Sequence, residues 1–257
     1  MSNIDKAFMA ERERTVNDMG DANLLDRISK DWMQEAGKYN YTYNFDWLGV
    51  PIIQFPNDIV ALQELVVKYK PDVIIETGVA RGGSVVLSAS LLALLDLRES
   101  MSLGNPFSQT RKVIGIDIDI REHTHAAIKE EPLSPYIELV EGSSVSKDTI
   151  LHVKKLAEGF SKPLVLLDSN HTHDHVLKEL EGFHDLIPIG GFILVYDTSI
   201  EWDSKEQWKT KDWGPGNSPR SAITEFLQRH INFEIRKEFS NKLKVSVCPE
   251  GLLQRVS

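Results

Sequence analysis

The sequence predicts an α/β fold: a mostly parallel sheet with helices on both faces. Three observations predict it. Short apolar runs follow one another along the chain: DVIIE (72–76), KVIGIDID (112–119), IELVEG (137–142), PLVLLD (163–168) and GGFILVYD (190–197). Near-continuous apolar runs are how strands buried on both faces read. Stretches with helical character lie between most of them, and such alternation implies parallel strands joined by crossover helices. The first run also passes straight into a glycine turn, ETGVARGGS (76–84), at the strand end where open α/β sheets bind ligands.

Taken in order, residues 1–38 are charged and read as helical, with modest amphipathicity. Residues 39–56, aromatic and broken by Gly49, Pro51 and Pro56, read as irregular. Asn57 or Asp58 caps a helix whose apolar residues Ile59, Leu62, Leu65, Val66 and Tyr69 recur at helical spacing, and Pro71 ends it. Residues 84–97 are apolar enough for a core helix. Further helices are expected near 121–130, 146–159 and 173–186. SPRSAITEFLQRH (218–230) places Ser218 as a cap and Pro219 in the first turn. FEIRKEF (233–239) and LKVSVCPE (243–250) read as strands of a closing antiparallel hairpin. The expected organisation is an N-terminal extension, 1–56, followed by a single domain, 57–257.

The bulk numbers narrow the function. A length of 257 residues suffices for one large α/β domain. The net charge of −9, with no basic stripe, argues against nucleic acid as a partner. Cys248 is the single cysteine, so no internal disulfide forms, which suits a reducing compartment. The first residues carry no apolar signal-peptide core, and no apolar run is long enough for a membrane span. The expectation is a cytoplasmic protein with no membrane partner. The aromatic stretch YNYTYNFDW (39–47) hints at a homo-oligomer.

The glycine turn spaces its glycines as G-x-x-x-G-G, from Gly78 to Gly82 and Gly83. This is neither the dinucleotide fingerprint nor a phosphate loop. Glu76 before it would repel a pyrophosphate but accept bonds from an ammonium group, which favours an amino-acid-bearing cofactor over NAD. Asp117, with Asp119 second, sits at the tip of the next strand, where a carboxylate can take both hydroxyls of a ribose. Asp168 ends the fourth apolar run.

Histidines crowd the segment that follows, LLDSNHTHDHV (166–176). The helical pattern beyond it starts near residues 172–174, so His173 and His175 point in different directions and read as helix-surface residues. Asp174 suits a helix N-terminus. His171, in the turn, is the one placed to share a cleft with Asp168. A histidine-only zinc site is therefore not expected. A hard ion such as Mg2+ would suit Asp168 and Asp197 at the tips of successive strands. No 2-His-1-carboxylate set for non-haem iron converges.

Together ETGVARGGS, VIGIDID, LLDSNHTHDHVLKEL, VYDT and WGPGNSP resemble the cephalosporin hydroxylase family, over about residues 45–235. Its members have the Rossmann-like fold of class I S-adenosylmethionine-dependent methyltransferases and are related to rhamnosyl and macrolide-sugar O-methyltransferases. The resemblance implies that Glu76, Gly78, Arg81, Gly82, Ser84, Asp117 and Asp168 bind S-adenosylmethionine, with Ser143 and Ser144 near the adenine. It implies His171 as catalytic base, and a metal held by Asp168 and an acidic pair at the next strand tip. Here that pair is Tyr196-Asp197, so one carboxylate is missing; Glu201 or substrate oxygens would have to replace it.

The expected function is O-methylation of a sugar hydroxyl, on a nucleotide-linked or glycan-precursor sugar. Another small hydroxylated natural product is the rival acceptor, and a non-catalytic nucleotide- or sugar-binding module is the rival class. Residues 198–217, with three tryptophans, read either as a lid over the acceptor or as packing against a neighbouring subunit. Arg81 and Arg220 would either meet a diphosphate or form ordinary surface salt bridges.

Overall fold

The computed structural model describes residues 6–257. The first five residues of the stretch read as helical at 1–38 lie outside that range. Helices α1 (Lys6–Gly20) and α2 (Asn23–Gly37) open the described chain. They are tied to the rest by ion pairs Arg12–Glu64, 3.2 Å, and Lys244–Asp26, 2.6 Å.

Residues 39–56 are more regular than their sequence suggests. They hold a hairpin, β1 (Phe45–Trp47) and β2 (Val50–Ile52), paired Trp47 to Val50. Leu48 and Gly49 both have positive φ, 51° and 87°, as a two-residue primed turn requires. Leu-Gly in place of Asn-Gly hides the signal. Trp47 Nε1 donates to Ser90 Oγ at 3.0 Å, and Ile52 and Phe55 enter the core.

The chain then runs through α3 (Pro56–Tyr69), β3 (Val73–Thr77), α4 (Gly83–Leu103), β4 (Lys112–Asp117), α5 (Glu122–Glu130), β5 (Ile137–Glu141), α6 (Lys147–Leu156), β6 (Pro163–Leu167), α7 (His173–Phe183) and β7 (Phe192–Val195). It closes with α8 (Pro219–Arg229), β8 (Phe233–Ile235), α9 (Lys237–Asn241) and β9 (Leu252–Arg255). The main sheet has the order β5-β4-β3-β6-β7-β9-β8. Strands β5 to β7 are parallel, whereas β9 is antiparallel to both β7 and β8. After β3 the chain builds outward on one side, then returns to place β6 on the other. The crevice above β3 and β6 is thus the switch point where such sheets bind ligands.

Alternate residues of the buried strands feed two cores. Ile74, Leu164, Leu166 and Leu194 pack with α3 and α4; Val73, Ile75, Val165 and Leu167 pack with α7 and α8 through Leu180, Phe183 and Phe226. Ser218 caps α8 with Pro219 in the first turn, as expected, and forms a capping box with Ser221.

Two local expectations fail. The cap position of α3 is Phe55, with Pro56 in the first turn, not Asn57 or Asp58. Asp58 instead accepts the Val247 N–H at 3.0 Å. This pins residues 243–250 as a loop although LKVSV alternates like a strand. Lys244 and Glu250 at positive φ also break extension there. The strand that closes the sheet is β9, just beyond. FEIRKEF is a strand only to Ile235; α9 takes its second half.

Candidate active site

A cleft of about 570 Å3 opens at the carboxyl ends of β3, β6 and β7. Its floor is the glycine turn. Gly78 has φ +89° and its N–H donates to Ile116 O at 2.8 Å. A Cβ there would lie 2.0 Å from the carbonyl oxygen of Asp168, so only glycine lets the two loops touch. A Cβ on Gly83 would likewise meet Pro51 O at 2.3 Å.

The sequence-predicted residues divide into three groups. Gly78, Arg81, Ser84, Asp168, His171 and Asp197 line the cleft together. Glu76 lies beneath it, buried, accepting from Ser88 Oγ at 3.1 Å; burial raises its pKa to about 7 against the opposing hydroxyls of Ser84 and Ser88. Gly82 caps α4 at φ +91°. Asp117 and the serines sit to the side. Asp117 Oδ2 accepts the N–H groups of Val79 and Ala80, at 2.9 and 3.1 Å, and Oδ1 that of Asp119 at 3.2 Å. It therefore braces the glycine turn, although a carboxylate with about four lone-pair sites keeps acceptor capacity for a ribose. Ser144 Oγ is 3.1 Å from His175 Nε2; Ser143 precedes it in the turn after β5.

At the centre, three side chains from successive strand tips converge. His171 Nε2 is 3.2 Å from Asp197 Oδ2 and 4.0 Å from Asp168 Oδ1. Asp168 keeps about a quarter of its side-chain exposure, 23%. Its pKa is nevertheless pushed well above the usual carboxylate range, first by desolvation and then by Asp197 and Glu76. Asp197 is held at φ 55°, a left-handed conformation that costs about 1–3 kcal/mol off glycine and that clusters at functional sites. Tyr196 is buried in the core, where it closes a small void beneath the cleft with Gln54, Glu76 and Asp168. It offers the cleft no ligand.

The remaining candidates have other work. His173 bridges to α8, Nδ1 to Ser221 Oγ at 2.8 Å and Nε2 to Glu225 at 3.0 Å. His175 meets Ser144 and Ser169, so neither is a free surface residue. Glu201 accepts from Gly216 N at 3.1 Å and from the Ser218 hydroxyl, and so does not replace the missing carboxylate. Arg220 pairs with Glu250 at 2.7 Å, the ordinary salt bridge.

One cleft residue escaped the sequence reading, and another, Trp213, was expected only as part of the 198–217 segment. Gln54, 5% exposed, donates from Nε2 to Asp168 Oδ2 at 3.2 Å, while its Oε1 is buried with no partner. The only sequence trace is one amide among apolar residues, IIQF. Trp213 sets its ring 5.1 Å from that of His171, and its Nε1 is also buried and unpartnered. Buried polar atoms without partners are rare in native proteins, and each calls for an explanation such as a bound ligand or water. An unpaired acceptor, a crowded carboxylate and a cradle closed to any Cβ fit an ammonium-bearing cofactor. Two repelling carboxylates beside an imidazole fit a divalent cation.

Comparison with known proteins decides the family. A model of the rhamnosyl O-methyltransferase/CmcI family matches residues 39–256. The chain belongs to that family. As a family member it is an S-adenosylmethionine-dependent O-methyltransferase. Rhamnosyl O-methyltransferase from Mycobacterium bovis (strain BCG / Pasteur 1173P2) is 26% identical over 242 residues, covering 91% of this chain and 89% of that protein. A CmcI structure with Mg and SAM is similar at TM-score 0.58 and 18% identity, over 84% of this chain and 78% of that one. An O-methyltransferase from Bacillus cereus in complex with SAH follows at TM-score 0.50 and 17% identity, over 79% and 80%. These likenesses are in overall fold. No helix among its described residues is long and apolar enough to cross a membrane.

Proposed function

We propose that this O-methyltransferase methylates a sugar hydroxyl, on a nucleotide-linked or glycan-precursor sugar, with His171 as general base and Asp168 and Asp197 as Mg2+ ligands. The convergence of these three side chains above the glycine turn carries the reading. The names of the curated relatives, rhamnosyl O-methyltransferases, support a sugar acceptor, and the Mg-bound CmcI neighbour supports the metal. When bound, S-adenosylmethionine supplies the electrophilic methyl carbon and Mg2+ lowers the pKa of the acceptor hydroxyl.

The residues of the chain divide the remaining work. Glu76, Gln54 and Ser84 would hold the amino-acid end of the cofactor, with Asp117 bracing the glycine turn. Asp197, 3.2 Å from His171 Nε2, keeps the proton of the ring on that nitrogen and leaves Nδ1 basic. Nδ1 would then accept the proton of the acceptor hydroxyl as that oxygen becomes the nucleophile. Asp197 then stabilises the imidazolium, in the manner of a base-orienting carboxylate. Trp208 and Trp213 wall the acceptor side, where aromatic faces suit a sugar ring. That supports the lid reading of 198–217. The exposed apolar residues Leu24, Ile28 and Tyr43 support self-association through the N-terminal helices and the segment after them, which light scattering would test.

The experiment is methyl transfer from labelled S-adenosylmethionine to a panel of rhamnosides and nucleoside-diphosphate sugars, with Mg2+ and with chelator. Mg2+-dependent labelling of at least one sugar supports the reading. Labelling confined to non-sugar hydroxyl compounds overturns it.

A further inference from the structure

A second convergent cluster lies away from the cleft, at the far ends of α7 and α8. Glu181 belongs to α7, His184 starts the 3-10 turn that follows it, and His230 is the residue that closes α8. We propose that Glu181, His184 and His230 form a zinc site that clips α7 to α8.

The geometry is close to that of a bound ion. His230 Nε2 is 2.9 Å from Glu181 Oε2, and His184 Nε2 is 3.9 Å from the same oxygen. All three ligand atoms lie within 4.8 Å of one another. Zinc bonds of about 2.0–2.2 Å put tetrahedral ligands about 3.3 Å apart, so the observed separations bracket the need. Two imidazoles and one carboxylate leave the fourth position to water. That donor set selects zinc over magnesium, which prefers an all-oxygen shell.

The ligands are also held in place. His230 stacks on Phe226 with centroids 4.3 Å apart, and His184 meets Phe226 and Phe233 edge-on at 5.8 and 6.3 Å. Both phenylalanines are buried, so the rings have little freedom to turn away. Arg229 approaches the other Glu181 oxygen, Oε1, at 3.5 Å and also pairs with Glu225, while Oε2 is bonded to His230 Nε2, a contact that a bound ion would replace. Lys154 and Asp185 stand near His184 but pair with each other at 2.7 Å.

The clip would join the two helices whose opposite ends carry the His171 turn and the 198–217 segment. It stands independently of the reading of the cleft. The test is calorimetric titration of ZnCl2 into the Asp168→Asn/His171→Ala chain, whose cleft has lost two of its candidate ligands. The expected result is one equivalent bound at micromolar affinity or tighter, with a higher Tm in zinc. Adding His184→Ala or His230→Ala should weaken this by more than about tenfold. Glu181→Gln, nearly isosteric and least apt to disturb folding, should weaken it too. Absence of zinc binding in the parent variant, or binding unchanged by Glu181→Gln and His184→Ala, overturns the proposal.

Discussion

Gly78 and Asp168 meet backbone to backbone: a Cβ on Gly78 would fall 2.0 Å from the Asp168 carbonyl oxygen. One contact thus locks the cofactor turn after β3 to the carboxylate-bearing turn after β6. Gly78→Ala must move one of them. The expected outcome is at least about a tenfold loss of S-adenosylhomocysteine affinity by calorimetry, with a lower Tm. Gly49 is the control. Its φ is +87°, yet nothing lies within 4 Å of a Cβ there. Gly49→Ala should cost about 1–2 kcal/mol of stability from the left-handed backbone and leave affinity intact.

His171→Ala should lower turnover by roughly 100- to 10,000-fold, the usual worth of a general base, and leave S-adenosylhomocysteine affinity unchanged. Single-turnover assays separate the two effects. Unaltered turnover would remove His171 from the mechanism.

Magnesium binding should strengthen as pH rises. Asp168 sits well above the usual carboxylate range because it is desolvated and faces Asp197 and Glu76, so a cation must displace its proton. Titrations at pH 6 and pH 8 check the direction. Asp168→Asn should abolish both the binding and its pH dependence. A pH-independent affinity in the unaltered protein would count against Asp168 as a ligand.

The ligand-free protein should lose stability from mildly acid to mildly alkaline pH. Burial raises the Glu76 pKa from 4.5 to about 7. Between those values the folded state holds more protons than the unfolded one. The stability contribution is therefore complete below about pH 4.5 and lost as pH rises through 7, at most about 3 kcal/mol in all. Asp58, raised to about 6, adds the same sign. Thermal melts from pH 5 to 8 should show the decline, and Glu76→Gln should flatten it without removing it.

The parallel sheet was legible because strands buried on both faces are apolar throughout, as VIIE, FILV and PLVLL are. Strand ends were legible because carboxylates follow them, which is why Asp168 and Asp197, with His171 in the turn after Asp168, were expected at the cleft they line. What failed was set by tertiary contact. LKVSV alternates like a strand, but Asp58, 189 residues earlier than Val247, takes its N–H and holds it as a loop. Tyr196 and Asp197 are adjacent in sequence yet face core and cleft. Gln54 carries only the faint signal of a lone amide among apolar residues; its meaning lies in the distant Asp168.

Gln54 gives the sharpest separation of roles. Its Nε2 holds Asp168 while its buried Oε1 has no partner beside Glu76 and Ser84. An acceptor left unpaired in the free protein costs about 1–3 kcal/mol, which a donor on the ligand would recover. The amino-acid end of the cofactor carries such a donor. Gln54→Met should therefore weaken S-adenosylhomocysteine by about five- to tenfold or more. It should leave 5′-methylthioadenosine, which lacks that end, nearly unaffected. Calorimetry with both ligands reads the difference directly. Equal losses would show that Gln54 only supports the floor of the cleft. A loss confined to Mg2+ affinity would show that its contact with Asp168 is the one that matters.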